Sequence, residues 1–389
     1  MRVGVDATCW QNNRGYGRHA RALLRSLVRL DQTNNYVLFI DSQELAEPLP
    51  SRAEVRLLTS RSPTAVAAAA NGRRSLRDMW QISRAMSGAE LDVLLFPTIY
   101  SFVPTFCRAR KLVVIHDVIA ETYPHLTLPR TSGRLAWKTK VALGRYQADA
   151  LITVSDYSRR AIVRHFSLSP DRVFVVGEAS DPVFRPISQP QLPELVKSLG
   201  IDEKHRLVVY VGGFGPHKNL EVLVEAFHGI AGSREFSDVR LVLVGEFKKE
   251  VFHSYYERVA ALVAQLGLAD RSCFTGYLPD EGLAALLNLS TVLVLPSLME
   301  GFGLPAVEAA ACGCPVIATK ESPLPELLGK GGLYFAPGQK QELQSALENV
   351  LSSQSLRHSM REAGLAAAGR LTWDAAARQM MNVITEVAA

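Results

Sequence analysis

The sequence predicts an α/β protein of two parallel-sheet domains, and three observations carry that expectation. Apolar strand-like runs alternate with helix-period segments along almost the whole chain. Several runs, such as Leu112-Val113-Val114-Ile115, are apolar throughout, as strands covered on both faces are. At 389 residues the chain is long enough for two domains, and a proline-rich stretch from Asp181 to Pro193 interrupts it near the middle.

In the first half, strands are expected at Arg2–Asp6, Tyr36–Ile40, Val55–Leu58, Asp92–Phe96, Leu112–His116, Leu151–Val154 and Val173–Val176. Helical patterns fall between them near 16–30, 74–87, 132–147 and 156–165. The second half repeats the rhythm with strands at Leu207–Val211, Arg240–Val244, Thr291–Leu295, Val316–Ala318 and Leu333–Phe335. Its helices read near 219–230, 252–266, 281–288, 304–311, 324–328 and 340–352. Pro182, Pro186, Pro190 and Pro193 exclude a helix or strand interior, so 181–193 reads as a linker between domains at 1–180 and 194–372. The chain ends in helical material, Ser355–Ala368 and then Trp373–Val387. Trp373, after a break, marks 373–389 as a docked last helix that packs back on the N-terminal domain. Two such domains bind ligands in the cleft between them, outside the carboxyl ends of their strands.

Composition excludes several classes. With 48% hydrophobic and 21% charged residues the chain is too apolar for disorder, and the Ala run at 67–70 is its only low-complexity tract. No apolar run reaches the roughly 18 residues of a membrane span, and Met1–Asp6 lacks an export signal. Five scattered cysteines, an odd number, point to a reduced cytoplasmic compartment. The net charge of +5 hides an asymmetry: residues 1–190 carry 26 Lys+Arg against 16 Asp+Glu, and the remainder is acidic. The two halves are expected to meet different partners.

The most informative segment is Leu295-Pro296-Ser297-Leu298-Met299-Glu300-Gly301-Phe302-Gly303-Leu304-Pro305-Ala306-Val307-Glu308. It follows a buried strand and opens a helix, where backbone N–H groups face an anion. Gly301 and Gly303 allow a ligand close to the main chain. Glu300 and Glu308 frame the turn, and a carboxylate suits the vicinal hydroxyls of a ribose or hexose. Each Glu alone would equally suit solvation or helix-dipole complementation; the combination is what argues for a site. A second turn, Gly212-Gly213-Phe214-Gly215-Pro216-His217-Lys218-Asn219, also joins strand to helix, with Asn219 as N-cap. Lys218 opposes the helix dipole there, which makes sense with a diphosphate between them.

With the run Ala309-Ala310-Ala311-Cys312-Gly313-Cys314-Pro315-Val316-Ile317-Ala318 behind it, this motif resembles the signature of retaining glycosyltransferases of family 4. The resemblance covers nearly the whole chain. It implies the GT-B fold, two Rossmann-like domains facing each other across a cleft, with the nucleotide sugar in the C-terminal one. By resemblance Glu308 binds the ribose hydroxyls, Glu300 the transferred sugar, and the backbone of Phe302, Gly303 and Leu304 contacts sugar and diphosphate. Lys218 neutralises the leaving diphosphate, although the family's usual Arg five positions earlier is Gly213 here. His116 stands beside the reacting sugar carbon, whereas the residues alone leave it either a satisfied strand-end residue or a group aimed into the cleft. Tyr277, after Gly276, flanks the base. The turn Arg14-Gly15-Tyr16-Gly17-Arg18 resembles the family's first loop, closing over donor and acceptor; Gly15 is the stronger candidate and Gly17 is equally a left-handed turn.

Other candidates fall away. Cys312 and Cys314 lack a second pair at zinc spacing, and no Asp-x-Asp or His-x-x-x-His occurs. That fits the family's metal-independent chemistry, with no cofactor besides the nucleotide sugar as co-substrate. Ser155 and Ser158 read as helix caps, and Asp6 ends the first strand without an evident role. Arg18, Arg21, Arg25 and Arg29 share one helix face, supplemented by Arg14, Arg73, Arg74, Arg77, Lys138 and Lys140. The face is either solvated or a contact for anionic lipid or a pyrophosphate-linked acceptor; no nucleic-acid motif is present.

The expected function is hexosyl transfer, of glucose or mannose type, from a UDP- or GDP-sugar to a growing glycan or lipid-linked acceptor in polysaccharide biosynthesis, with retention. No protein nucleophile is evident, which favours front-face substitution. The location expected is cytoplasmic, peripheral at the inner membrane face. The rival expectations are a non-catalytic two-lobed sugar-binding protein and another GT-B enzyme such as a sugar-nucleotide epimerase.

Overall fold

The computed structural model describes residues 1–12, 15–42, 45, 47–58, 75–247 and 254–389. Arg14, Arg73, Arg74 and the Ala run at 67–70 lie outside the described residues. The chain forms two compact units: Met1–Pro124 with Leu128–Glu178 and Thr372–Ala389, and His125–Thr127 with Ala179–Leu371.

The first unit is built on strands β1 (Arg2–Asp6), β2 (Asn35–Ile40), β3 (Glu54–Leu57), β4 (Val93–Phe96), β5 (Arg110–Val114), β6 (Ala150–Thr153) and β7 (Val173–Val175). All pair in parallel, in the order β3-β2-β1-β4-β5-β6-β7. Its longer helices are α1 (Gly15–Leu30), α2 (Leu76–Ser87), α3 (Thr131–Gln147) and α4 (Asp156–Phe166). Val93, Leu94, Leu95 and Phe96 are fully buried, as a central parallel strand requires. The chain's last helix, Trp373–Ala388, joins this unit: Met380 and Ile384 share a core with Leu23, Leu24 and Leu27 of α1. That burial offsets the entropy of ordering a chain end.

The arginine face of α1 is not a free charged surface. Arg21 is 7% exposed and donates to the carbonyls of Trp10 and Asn12 at 2.6 and 2.7 Å. Arg21 and Arg25 both pair with Glu47, and Arg29 pairs with Asp374 of the last helix. The stripe clamps the turn after β1 and the last helix, because long flexible cations on a helix face reach neighbouring carboxylates and carbonyls.

The second unit contains β8 (Arg206–Val211), β9 (Val239–Val244), β10 (Ser272–Gly276), β11 (Val292–Leu295), β12 (Val316–Thr319) and β13 (Gly332–Phe335). They form one parallel sheet in the order β10-β9-β8-β11-β12-β13. Here α5 (Leu220–Ala231), α6 (Tyr256–Gln265), α7 (Asp280–Leu289), α8 (Leu304–Ala311), α9 (Lys340–Ser352) and α10 (Gln354–Ala368) surround it, and α11 is the Trp373–Ala388 helix. β10 was not expected from sequence. It is an edge strand, alternately buried and half-buried, with the sequence Ser-Cys-Phe-Thr-Gly and no apolar run. The proline-rich stretch groups with this unit: Phe184 and Leu192 are buried, and Asn288 bonds the Ile187 amide and the Arg185 carbonyl. Among the described residues no helix is long and apolar enough to cross a membrane.

Candidate functional site

In the second sheet, β8 and β11 are neighbours, yet the chain leaves them in opposite directions across the sheet. Loops after such strands separate and open a crevice at their carboxyl ends. The segments 212–219 and 296–303 are those two loops. They are knitted together: Leu298 donates its amide to the His217 carbonyl at 2.9 Å, and Asn219 Nδ2 bonds the Pro296 carbonyl at 3.2 Å. Asn219 stands at the start of α5 as expected, but with φ of 54° and without a side-chain cap, because its amide is spent on the other loop.

The centre of the site is an ion pair. Lys218 Nζ lies 2.6 Å from Glu300 Oε1, and Ser297 Oγ donates to the same oxygen at 2.6 Å. Burial pushes the Glu300 carboxyl upward, but the Lys218 charge and the hydrogen bonds from Lys218 and Ser297 outweigh it and hold the group below the usual range. Glu300 is therefore an anion with a defined orientation, its amide also bonded to the Glu321 carbonyl beyond β12. Burial, then the adjacent Lys218 charge, pushes His217 down to about 4 against the pull of Glu300, so the imidazole is neutral. Its Nδ1 has no hydrogen-bond partner among the described residues.

Beyond Glu300, Gly303 has φ of 83°, and a Cβ there would fall 2.9 Å from the Leu324 side chain. Only glycine gives this left-handed, close-packed entry to α8. Phe302 is buried and Leu304 half-buried at the helix start, with Pro305 in the first turn where its missing N–H costs nothing. Glu308 is fully buried within α8. Gly213 is exposed and its carbonyl accepts from Tyr210 Oη at 2.6 Å. Tyr277 follows β10 and is 59% exposed. Thus Lys218, Glu300, Gly213, Phe302, Gly303 and Leu304 gather on two loops, whereas Tyr277 belongs to the edge of the sheet. The sequence reading missed the aromatic cluster beside it, in which Phe247 stacks on Tyr256 at 4.1 Å and Phe274 closes at 5.2 Å. No periodic signal joins residues so scattered.

In the first unit, His116 lies just past β5, its carbonyl accepting from Thr153 Oγ1. Its Nε2 is 3.2 Å from Nδ1 of His19, a buried residue of α1 that the sequence reading overlooked. Burial lowers His116 to about 4, and burial, then the neighbouring His116, holds His19 well below the ordinary imidazole value, so this is a neutral pair sharing one proton bridge. Glu178 completes a group whose ligand atoms lie within 4.8 Å of one another. The His–His hydrogen bond uses one nitrogen of each ring, and the others, His19 Nε2 and His116 Nδ1, are buried with no hydrogen-bond partner among the described residues. Asp6 accepts from the Thr8 amide and hydroxyl and so shapes the turn after β1. Ser155 caps α4 by accepting from the Ser158 amide at 3.0 Å.

At the glycine turn before α1, the two glycines differ in packing. Gly17 is inside the first turn of the helix and has no positive φ, but a Cβ there would fall 1.9 Å from the Asn12 carbonyl oxygen. Gly15 faces open space. Gly17 is thus required by close backbone approach, not by a left-handed turn.

Residues 13–182 match the family described as Glycosyltransferase Family 4, and residues 192–366 the family described as Glycosyl transferases group 1. Over 275 residues the chain is 30% identical to the O-antigen chain mannosyltransferase B of Escherichia coli, covering 70% of this chain and 69% of that protein. The chain belongs to the group 1, family 4 glycosyltransferases. This family member is also 28% identical over 269 residues to the serotype-specific mannosyltransferase WbdA of Escherichia coli, covering 68% of this chain. It spans only 32% of that longer relative. Its fold is similar to that of the Anabaena protein HepE in complex with UDP-glucose, with a TM-score of 0.73 at 18% identity over 99% of both chains. The two parallel-sheet units are those of a GT-B glycosyltransferase.

Proposed function

We propose that the protein transfers a hexose, of glucose or mannose type, from a UDP- or GDP-sugar to a glycan or lipid-linked acceptor in polysaccharide assembly, with retention of configuration. The observation that carries this reading is the Lys218–Glu300 pair held between two loops at the carboxyl ends of β8 and β11. Lys218 supplies the cation that a departing diphosphate needs, and the start of α8 supplies oriented amides. Glu300, kept ionised by Lys218 and Ser297, accepts hydrogen bonds from sugar hydroxyls. As diphosphate takes over Lys218, Glu300 is released to the sugar, which couples the two halves of donor recognition.

His116, neutral and braced by His19, steadies the sugar with a hydrogen bond that carries no charge cost. Glu308 binds the ribose; because it is fully buried, that contact needs the turn above α8 to move. Tyr277 offers an exposed ring to the base. Charge neutralisation by Lys218 and the amides supports chemistry without a metal. Five free cysteines support a reducing, cytoplasmic setting. The relatives named as mannosyltransferases support a mannose donor, and the UDP-glucose complex of the similar fold supports a nucleotide sugar.

Thermal-shift titrations with UDP, GDP and their glucose and mannose conjugates test the donor. One nucleotide and its conjugate should raise the melting temperature saturably, and Glu308→Ala should weaken that nucleotide at least tenfold, the scale of a buried charged hydrogen bond. Wild-type affinity in Glu308→Ala removes the ribose role, and no response to any nucleotide overturns the donor reading. Anomeric NMR of the product then reports retention directly.

A further inference from the structure

The carboxyl ends of the first sheet bring three donor side chains together from distant parts of the chain. His116 lies just past β5 and Glu178 just past β7, the strands on either side of β6. His19 arrives from the start of α1. Gly17 packs so closely on Asn12 that a Cβ would fall 1.9 Å from the Asn12 carbonyl oxygen, and this contact seats the first turn of α1, His19 with it. One ligand atom from each of His19, His116 and Glu178 lies within 4.8 Å of the others, and among the described residues no other group of three His, Cys, Asp or Glu side chains does so. All three residues belong to the first unit.

The spacing is that of a coordination shell. His116 Nε2 and His19 Nδ1 are 3.2 Å apart, with their rings inclined at 82°. Two nitrogens bound tetrahedrally to one zinc ion at about 2.0–2.1 Å are themselves about 3.3 Å apart. The Glu178 oxygen, somewhat further out, closes the third side on a flexible arm. Two imidazoles and a carboxylate suit zinc, cobalt or nickel, whereas magnesium and calcium require oxygen ligands throughout. A packing role alone does not account for the group. His19 and Glu178 are 1% and 7% exposed, yet His19 Nε2 and His116 Nδ1 have no hydrogen-bond partner among the described residues, so the buried carboxylate is not there as their acceptor.

We propose that His19, His116 and Glu178 bind one divalent ion of the zinc class, with the fourth position open beside His116, the half-buried member of the set. Both facing nitrogens then act as lone pairs. The proton between the rings passes to the outer nitrogen of the ring that held it, so no proton is lost and both imidazoles stay neutral. The ion takes no part in the transfer chemistry assigned to Lys218 and the α8 amides. It occupies His116 and so denies that ring to the sugar, which makes the filled site inhibitory. This consequence rests on the sugar contact proposed for His116; the binding does not.

The full chain, freed of metal with a chelator and dialysed, is titrated with Zn²⁺ by calorimetry and with Co²⁺ by visible absorbance. One ion per chain should bind, with the cobalt bands of a four- or five-coordinate site, and Mg²⁺ should not compete. Glu178→Gln and His116→Gln should each weaken Zn²⁺ at least tenfold, since even an outer partner of a metal ligand carries about that much. Glu178→Gln preserves side-chain volume and His116 is half-buried, so melting temperatures near that of the wild type confirm that both variants fold. His358→Ala removes an exposed His–Glu pair on α10 and should change nothing. No binding, full-strength binding in either ligand variant, or binding lost with His358 overturns the proposal. Zn²⁺ should also inhibit transfer at the concentrations at which it binds; binding without inhibition keeps the ion site and removes His116 from the sugar.

Discussion

Lys218 and Glu300 are 82 positions apart in the chain, yet their charged atoms meet at 2.6 Å. Each was legible in the sequence as a charge beside a glycine turn. Their pairing was not, because it depends on β8 and β11 becoming neighbours in the sheet. Lys218→Ala should lower turnover about 10²–10³-fold, the scale for removing one electrostatic stabiliser of a developing anion. Binding of nucleotide alone should suffer less, and steady-state kinetics with the donor identified by titration checks both; unchanged turnover takes Lys218 out of the mechanism. His19 was invisible for the same reason as the pairing. A histidine within an apolar helix face reads as core, and only its contact with His116, 97 positions away, gives it a part in the site.

At the scale of elements, strand and helix placement was largely readable because the hydrophobic period is local. The exception, β10, is an edge strand paired only with β9, and an edge needs no apolar run on both faces. The glycine turn at α1 shows the opposite case, in which sequence located the motif but offered a left-handed turn for Gly17 where the structure has a close backbone approach. Gly17→Ala drives a Cβ into the Asn12 carbonyl and should cost about 1–3 kcal/mol, as overpacking does. Gly15→Ala, facing open space, should be neutral or stabilising by up to about 1 kcal/mol, the propensity difference in a helix. Urea denaturation of the two variants separates them; equal stability would remove the close-approach explanation. The Arg21 side chain depends on the same turn, since it bonds the Asn12 carbonyl from the other side.

At the scale of the whole molecule, each unit holds neutral histidines, His19 and His116 in the first and His217 in the second, with His116 and His217 pushed down to about 4 by burial and His19 also held low. Unfolding returns them to about 6.5, so between those values the unfolded chain binds more protons than the folded one. Stability from these groups is therefore full above about pH 6.5 and declines as pH falls toward 4. Glu300, held low when folded, adds a further loss only below the ordinary carboxyl value of 4.5. Glu121, pushed up by burial to about 7, works against the histidines over the same range, so they are read individually. Imidazole NMR from pH 8 to 5 should show His116 and His217 staying neutral, and titration of either near 6.5 would contradict the assignment. The sequence by itself determined the alternation of strands and helices, the two loops that carry the motif and the family they belong to, because periodicity and turn chemistry are written within a few residues. Only the tertiary structure decided which charges are spent. It spent Arg21, Arg25 and Arg29 of α1 on backbone carbonyls, Glu47 and Asp374, and bound Lys218 to Glu300. Charge pairing depends on distances across strands far apart in the chain, and those follow from the order of strands in the sheet.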